Sequence, residues 1–532
     1  MDARRTARMR LPLALAMALA GTAAILPAQQ SSIPAEPDDR TIVHVLNRIG
    51  FGAAPGDVER VRAIGLANYI DQQLDPSRIP DEDVRARLAP FSTLAMSSAQ
   101  LAREYYLPAL MQRRLAQRAR AAATTPDPQM QPRIEPRSPE RPQPSVQADR
   151  IVMLELTQQK VLRAVYSERQ LEEVLVDFWF NHFNVFAGKA QARVYLTEYE
   201  RDVIRPHALG KFRDLLGAVA ESPAMLVYLD NWQSAAPAEA ETMNPRGRRG
   251  AFRRPQAATG AAARRRGINE NYARELMELH TLGVDGGYTQ KDVQEVARAF
   301  TGWTVDMPRQ GGGFRFEPRI HDNGEKVVLG VTIPRGGGKR DGEMVLDLLA
   351  KHPSTARFIA TKLARRFVAD EPPPSLVDRA AARFRQTGGD IRAVVRTIVT
   401  SPEFFDPSVY RGKVKTPFEF VVSAVRASDV DARNGLMMVQ ALRQLGMPLY
   451  MCQPPTGYSD TADAWVNTGA LLNRMNFAVA VSRGLNPGTA DRIADAVMAG
   501  DLSETTRRTV AKAVSDPQKA ALLLGSPDFQ KR

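Results

Sequence analysis

Cysteine is almost absent from this sequence: Cys452 is the only one among 532 residues. A chain with one cysteine cannot form an intramolecular disulfide, so its fold must be held by its hydrophobic core. The material for a core is present, because 44% of the residues are hydrophobic and 25% are charged, which is a globular balance. We interpret Cys452 as a buried, unreactive thiol rather than a catalytic nucleophile.

The sequence also lacks the short motifs that identify common nucleotide-binding, hydrolase and haem proteins. It has no Walker A sequence, no G-x-S-x-G elbow, no dinucleotide-binding fingerprint and no haem-attachment motif. A standard EF-hand is excluded too, because Thr281 and Gly283 stand where the first two acidic calcium ligands would be needed. Candidate sites must therefore come from sets of residues that a helix or a turn brings together.

Long apolar runs are confined to the N-terminus. One such run, at 11–26, follows four arginines and ends in small residues near Ala28. This pattern predicts a secretory signal peptide over 1–28, and hence a periplasmic or secreted protein. The Arg4-Arg5 pair is similar to a twin-arginine signal, but the next residues do not complete that pattern, so we expect Sec export. An uncleaved anchor is the alternative; after cleavage, no transmembrane span is predicted.

Acidic residues are missing from one strongly basic segment. The formal net charge is +13, and residues 245–268 contain eight arginines and no acidic residue. This Gly-, Ala- and Pro-rich composition predicts a disordered basic loop over 234–268. The alternative is contact between the loop and an anionic polymer or surface, such as acidic glycan or lipid headgroups. Because the excess charge is concentrated in the loop and the leader, we expect no specific nucleic-acid binding.

The remaining chain is mainly helical in pattern and is divided by proline. Seven prolines at 126–144 predict a disordered linker or insertion over 122–149. It separates an N-terminal helical segment, 29–121, from a main body, 150–532. Apolar residues recur at helical spacing in both parts. We therefore predict a mainly α fold with a multi-helical, bundle-like body and one small β insertion, at 302–333.

The β insertion is predicted from a change in periodicity. Aromatic and charged residues alternate at 314–317, a D-N-G turn follows, and 327–333 is rich in β-branched residues. This pattern predicts a small β-hairpin, or a three-stranded insertion if 303–305 joins it. His321 and Asp322 would lie at its tip, where there is no core to bury them. We regard this pair as the strongest functional candidate.

The stretch 269–303 carries the densest set of other candidate residues. A helix predicted over 270–282 places two carboxylates, an arginine and an amide on one polar arc: Glu275, Glu278, Arg274 and Asn271. Such an arc suits acid/base catalysis or cation binding. The alternative is an exposed polar face with an ion pair between Arg274 and Glu278. His280 would face the opposite, apolar side.

Two histidines on apolar helix faces form a second candidate site. His182 lies in a helix predicted over 171–186, beside aromatic side chains, and His280 lies in the helix described above. The two rings could meet and, with carboxylates from neighbouring helices, hold a divalent metal ion. For His182 the alternative is a buried histidine that hydrogen-bonds a backbone carbonyl.

Six stretches of the chain carry a family resemblance. They are HVLNRIGFG (44–52), FWFNHF (178–183), NENYARELMELHTLGVDGGYTQKDV (269–293), HDNGEK (321–326), HPSTARFIATKLARRFV (352–368) and PPTGYSDTADAW (454–465). Together they resemble the bacterial family called domain of unknown function 1800, over the chain from about Thr41 onwards. The resemblance implies an exported, largely helical protein, often encoded beside a sulfatase-like exported protein that would be its partner. It implies no established reaction and no established catalytic residues.

Two functional hypotheses follow. The first is a periplasmic enzyme, with or without a metal ion, that hydrolyses an envelope or extracellular polymer by acid/base chemistry. Its catalytic residues would come from Glu275, Glu278, Arg274, Asn271, His321 and Asp322, and its metal ligands would be His182 and His280. The second is a non-catalytic envelope or secretion scaffold. Convergence of the polar residues around an open pocket would favour the enzyme.

Overall fold

The computed structural model describes residues 32–123, 148–237 and 267–532. The predicted signal peptide lies outside these residues. So do most of the predicted proline-rich segment, at 124–147, and most of the predicted basic loop, at 238–266. The signal peptide and the disorder of the two segments therefore stay predictions.

The described chain is mainly α-helical, which confirms the predicted fold class. The helices are α1 (Asp39–Ile49), α2 (Asp57–Ile64), α3 (Leu66–Leu74), α4 (Glu82–Leu88), α5 (Ser98–Leu101), α6 (Leu107–Ala123), α7 (Ala148–Tyr166), α8 (Gln170–His182), α9 (Leu196–Glu198), α10 (Phe212–Glu221), α11 (Pro223–Tyr228), α12 (Glu270–Met277), α13 (Gln290–Ala299), α14 (Arg340–Lys351), α15 (Pro353–Phe367), α16 (Pro374–Gln386), α17 (Ile391–Val399), α18 (Pro417–Ser428), α19 (Leu436–Gln444), α20 (Thr468–Ser482), α21 (Thr489–Arg492), α22 (Glu504–Val510), α23 (Asp516–Leu524) and α24 (Pro527–Gln530).

Several π-helical segments continue or connect these helices. They are Ala102–Tyr106, Tyr199–Ile204, Glu278–Leu282 and Ile493–Val497. Single π turns within helices often mark functional regions because they turn side chains out of the regular 3.6-residue register. The third segment continues α12, where the sequence predicts one uninterrupted helix.

The centre of the packing is α18. All 12 of its residues are buried, and it contacts α7, α19 and α20. Most of its residues are apolar, and its two charged residues, Glu419 and Arg426, are buried in ion pairs. Its N-terminus is closed by a capping box between Thr416 and Glu419, which satisfies helix N–H groups away from water. One hydrophobic cluster extends from Ile42 in α1 to Phe529 in α24, so the helices before and after 124–147 share a core.

The β insertion consists of two separate antiparallel pairs. Strands β1 (Trp303–Val305) and β2 (Phe314–Phe316) form one pair, and β3 (Lys326–Val328) and β4 (Val331–Ile333) form the other. The small β insertion is confirmed, with the segment at 303–305 as a strand. His321 and Asp322 are not at a hairpin tip: they lie between β2 and β3, on a segment that packs back onto the helices.

No helix among the described residues is both long enough and apolar enough to cross a bilayer.

Candidate functional site

The predicted polar arc on α12 exists, and two of its four members bind side chains outside the arc. Arg274 donates to Gln290, and the Tyr288 hydroxyl donates to Glu278 over 3.0 Å. Burial and the nearby Glu278 raise the pKa of Glu275, while Asn271 is exposed. No Arg274–Glu278 ion pair within 4 Å is found among the described residues, so the predicted helical pair is replaced by bonds to the following turn and to α13.

His321 and Asp322 belong to a buried ionic cluster in the β insertion. His321 Nδ1 lies 2.8 Å from the Thr301 carbonyl oxygen, and its Nε2 lies 3.1 Å from Asp341 Oδ2. Lys326 donates to the same Asp341 oxygen over 2.7 Å. Asp322 accepts two hydrogen bonds from Arg298. Since the His321 and Asp341 side chains are 0% and 1% exposed, this cluster holds the insertion in place rather than facing solvent.

A cavity of about 290 Å³ lies elsewhere, between the end of α8, α15, the start of α18 and the loop before α20. Its lining is polar on several sides and reaches the surface at the exposed residues Thr456 and Ser459. The lining residues are Asp177, Phe178, Asn181, His182, Lys362, Arg365, Arg366, Thr416, Met447, Thr456, Tyr458, Ser459, Asp460 and Thr461. Three of the six signature stretches supply most of this lining, and we call it the α8–α15 cavity.

A lysine–histidine pair lies in this cavity. Lys362 Nζ is 2.9 Å from His182 Nδ1, and His182 Nε2 is 3.1 Å from the backbone oxygen of His280. A carbonyl only accepts, so Nε2 carries the ring proton and Nδ1 presents its lone pair to the lysine. The predicted carbonyl bond of His182 is therefore confirmed, and the same bond orients the ring toward Lys362.

Burial lowers the pKa of both groups of the pair. Burial lowers the pKa of Lys362 to about 8; Asp460 opposes this shift and Arg365 adds to it. Burial, Lys362 and His280 hold the pKa of His182 well below its usual range, so the imidazole stays neutral. Near neutral pH the lysine thus exchanges protons while the histidine remains a fixed acceptor. A group with a pKa near the working pH suits general acid/base catalysis.

Asparagines at the end of α8 hold the loop that covers the cavity. The Asn181 side chain donates to the Tyr458 carbonyl over 2.8 Å and accepts from the Tyr458 amide over 2.7 Å. The Asn184 amide donates to the carbonyls of Cys452 and Pro454. The predicted helix over 171–186 stops at His182, which lets Asn184 turn toward the loop. These side chains position the wall formed by Tyr458 and the residues after it.

A buried charge cluster borders the cavity on the α18 side. Arg366 Nη1 donates a hydrogen bond to Glu419 Oε1 and lies 3.6 Å from Asp460 Oδ1. Arg532 lies 3.0 Å from the same Glu419 carboxylate. Although burial raises the pKa of Glu419, Arg366 and Arg532 more than reverse this effect and bring it to about 2. Glu419 is therefore an anion that the arginines share.

The two histidines predicted as metal ligands do meet, with ring centroids 6.3 Å apart. Both nitrogens of His182 nevertheless face other partners, namely Lys362 and the His280 carbonyl oxygen. Within the described ranges, no group of three or more His, Cys, Asp and Glu side chains is arranged to hold a metal ion. The donor set at this position therefore fits proton transfer better than metal coordination.

Of the predicted site residues, only His182 lines the cavity. His280 contributes through its carbonyl, while Glu275, Glu278 and His321 lie outside the lining. Sequence reasoning missed Lys362, Arg365 and Arg366, although their signal was present. Spacings of three and four residues place these cations on one face of a predicted helix, and this clustering of three cations is the pattern that could have revealed them.

The comparisons with known proteins point to one family. A family model described as "Protein of unknown function (DUF1800)" matches residues 44–531. The comparisons with curated proteins and with solved structures give no match. The matched range includes all six signature stretches, and its description names no activity. The chain therefore belongs to the DUF1800 family.

Proposed function

We propose that this protein is an exported hydrolase that acts by acid/base chemistry on an envelope or extracellular polymer, with Lys362 as its proton-transfer residue. The observation that carries the proposal is the contact of Lys362 Nζ with His182 Nδ1, at 2.9 Å, in a cavity that reaches the surface. A half-buried lysine amine that has no carboxylate within 4 Å among the described residues is poised to be neutral part of the time. Such an amine accepts a proton from water.

The roles of the neighbouring groups follow from the geometry. Neutral Lys362 removes a proton from the attacking water, and the resulting ammonium returns a proton to the leaving oxygen as the polymer bond breaks. His182 accepts an N–H of Lys362 and so orients its remaining lone pair or proton toward the cavity. Asp460 supports the ammonium form electrostatically. Asn181 is a positioning residue, because it fixes the loop that carries Tyr458 and Asp460.

The cavity is small compared with binding sites for whole drug-sized ligands, which occupy roughly 300–1,000 Å³. At about 290 Å³ it holds one sugar- or amino-acid-sized unit of a polymer. The rest of the polymer would then lie across the exposed rim at Thr456 and Ser459. A polymer substrate outside the cell is also consistent with the signal peptide predicted at 1–28.

Hydrolysis can be tested with isotopically labelled water. The mature protein is incubated in H₂¹⁸O with envelope polymers, such as peptidoglycan and acidic exopolysaccharide, and soluble products are analysed by mass spectrometry. We expect one ¹⁸O per cleaved bond, with cleavage lost in Lys362→Met and retained in Lys351→Met, an exposed lysine on α14. Products without ¹⁸O, or equal activity of the two variants, would contradict the proposal.

The alternative is a non-catalytic scaffold that binds a neighbouring exported sulfatase-like protein. One observation favours it: apolar side chains are exposed beside the cavity loop and on α20, including Met451, Val466, Leu471 and Leu472. Leu471 and Leu472 are consecutive exposed leucines, and large exposed apolar side chains are often found at protein interfaces. Under this hypothesis Leu472→Glu would abolish co-purification with the partner, whereas Lys362→Met would leave it unchanged.

A further inference from the structure

The charge cluster beside the α8–α15 cavity contains more buried cations than anions. Six of its basic side chains are buried: Arg48, Arg366, Lys413, Lys415, Arg474 and Arg532. Glu419 is the buried carboxylate among them, and the partly buried Asp370 and Asp460 add two more. Buried charges are costly unless they are paired. The cluster therefore has a positive excess next to a cavity that is open to ligands.

Several guanidinium donors in this cluster have no hydrogen-bond partner in the part of the chain that the structure describes. In Arg366, which is 5% exposed, Nη1 binds Glu419 but Nε and Nη2 bind nothing within the described chain. Arg48 and Arg474 each have two such nitrogens as well. Buried polar groups in folded proteins are almost always hydrogen-bonded, so an unpaired donor calls for a specific partner. For a guanidinium, the natural partner is an oxyanion, which it binds through parallel N–H groups.

Only one of these arginines, Arg366, also lines the cavity, together with Lys362 and Arg365 on the same face of α15. The three cations thus line the same cavity from a single helix. Asp460 and Asp177 also line it, but both are engaged: Asp177 pairs with Lys160 at 2.8 Å, and Asp460 lies 3.6 Å from Arg366 Nη1. Arg366 is thus a cavity-lining arginine with two guanidinium nitrogens that have no hydrogen-bond partner among the described residues.

We propose that the α8–α15 cavity binds an oxyanionic group of the substrate, a carboxylate, sulfate or phosphate, through Arg366 with support from Arg365 and Lys362. The identification of this anion as part of the substrate rests on the function proposed above; the anion site itself does not. With one polymer unit in the cavity, its anionic substituent would lie against Arg366. The bond to be cleaved would then lie near Lys362.

Calorimetric titration of the full-length mature protein with sodium phosphate, sulfate and acetate tests the anion site without any turnover. Each salt is compared with chloride at equal ionic strength, so that general screening cancels. We expect saturable binding of at least one oxyanion. Loss of charge-assisted bonds in Arg366→Gln should weaken it by roughly tenfold or more. Arg357→Gln, which removes an exposed arginine on the same helix, should bind as the unmodified protein does.

The salts distinguish the possible anionic substituents of the substrate. Binding of acetate alone would indicate a carboxylate, and binding of phosphate or sulfate would indicate a tetrahedral group. If Arg366→Gln does not fold, Arg365→Gln replaces it, because that side chain is partly exposed and lines the same cavity. Absence of oxyanion-specific binding, or equal weakening in Arg357→Gln, would overturn the anion site. Anion binding without polymer cleavage would support the anion site and refute only the proposed hydrolase. Polymer cleavage that bound anion does not affect would refute the proposal that the anion is part of the substrate.

Discussion

A lysine ammonium loses hydrating water when it is buried. Among the described residues, no carboxylate lies within 4 Å of Lys362 to replace that water. The nearest fixed partner is the neutral ring of His182. This environment differs from that of Lys326, which donates to Asp341 and to two carbonyls in the β insertion. The buried Lys326 and the half-buried Lys362 thus have opposite surroundings, and of these two lysines only Lys362 lines a cavity in which it can exchange its proton.

The ionic cluster of the β insertion should contribute strongly to stability. Replacing Asp341 by Asn removes the carboxylate that both His321 and Lys326 contact and leaves a buried cation unpaired. We expect the free energy of unfolding to fall by about 3–5 kcal/mol, measured by denaturant titration. Asp347→Asn, on the same helix but in an exposed ion pair, should change it by about 1 kcal/mol or less. Equal effects would mean that the cluster is not the anchor of the insertion.

His321 shows why the roles of single residues were hard to predict from the sequence. A turn sequence next to alternating residues suggests a projecting tip, which leaves a histidine without a structural role. The actual chain folds back, because Asp341 from α14 and Thr301 after α13 supply its hydrogen bonds. Neither contact is local in sequence. The local patterns that place the strands therefore contain no information about what the segment between them touches.

At the level of elements, the helices were predictable and their irregularities were not. The amphipathic spacing over 270–282 correctly separates the polar arc from His280, which is buried against Phe183. The π turn over Glu278–Leu282 leaves no such trace, because one extra residue in a turn barely alters the spacing of apolar positions. The end of α8 at His182 was missed for a similar reason: the bonds from Asn184 to a distant loop decide it.

The loop over the cavity depends on a glycine at its closest approach to α8. Gly457 has φ of +75°, and a Cβ there would lie 2.3 Å from the Asn181 backbone oxygen. Gly446 earlier in the loop has φ of +82°, but a Cβ there would meet nothing within 4 Å. Both alanine variants bear a left-handed backbone cost of about 1–2 kcal/mol, and only Gly457→Ala adds a collision.

We therefore expect Gly457→Ala to lower the free energy of unfolding by at least about 1 kcal/mol more than Gly446→Ala does, and to increase amide exchange in the loop. Denaturant titration and hydrogen-exchange mass spectrometry measure the two effects. If the two variants are equally stable and equally protected from exchange, the loop is not held against α8 as described.

Over the whole molecule, five of the six signature stretches meet around the cavity and the charge cluster. HVLNRIGFG contributes Arg48, and the long α12 stretch contributes the His280 carbonyl. The other three supply the cavity lining, while HDNGEK builds the β insertion. Composition and periodicity predict a helical protein with a large core, since both are local properties. The convergence depends on helix packing over hundreds of residues, which no local pattern encodes.

The positive excess of the charge cluster should appear in the pH dependence of stability. Burial, opposed by Glu419, lowers the pKa of Lys415 from 10.5 to about 7. Between these values the unfolded chain binds more protons than the folded protein, so stability rises with pH. We expect the free energy of unfolding to increase between pH 7 and 9. Lys415→Met should flatten this slope and Lys351→Met, at an exposed position, should not; a decrease over this range would contradict the account.

The protonation of Lys362 in the intact protein tests most directly whether this side chain can transfer a proton near neutral pH. Trace labelling with acetic anhydride over pH 6 to 11, read by peptide mass spectrometry, reports the neutral fraction of each lysine, with Lys351 as an exposed reference. We expect Lys362 to become half-reactive near pH 8, and at lower pH in Asp460→Asn, because Asp460 raises the pKa of Lys362. A Lys362 profile that rises only together with that of the exposed lysine would contradict this expectation.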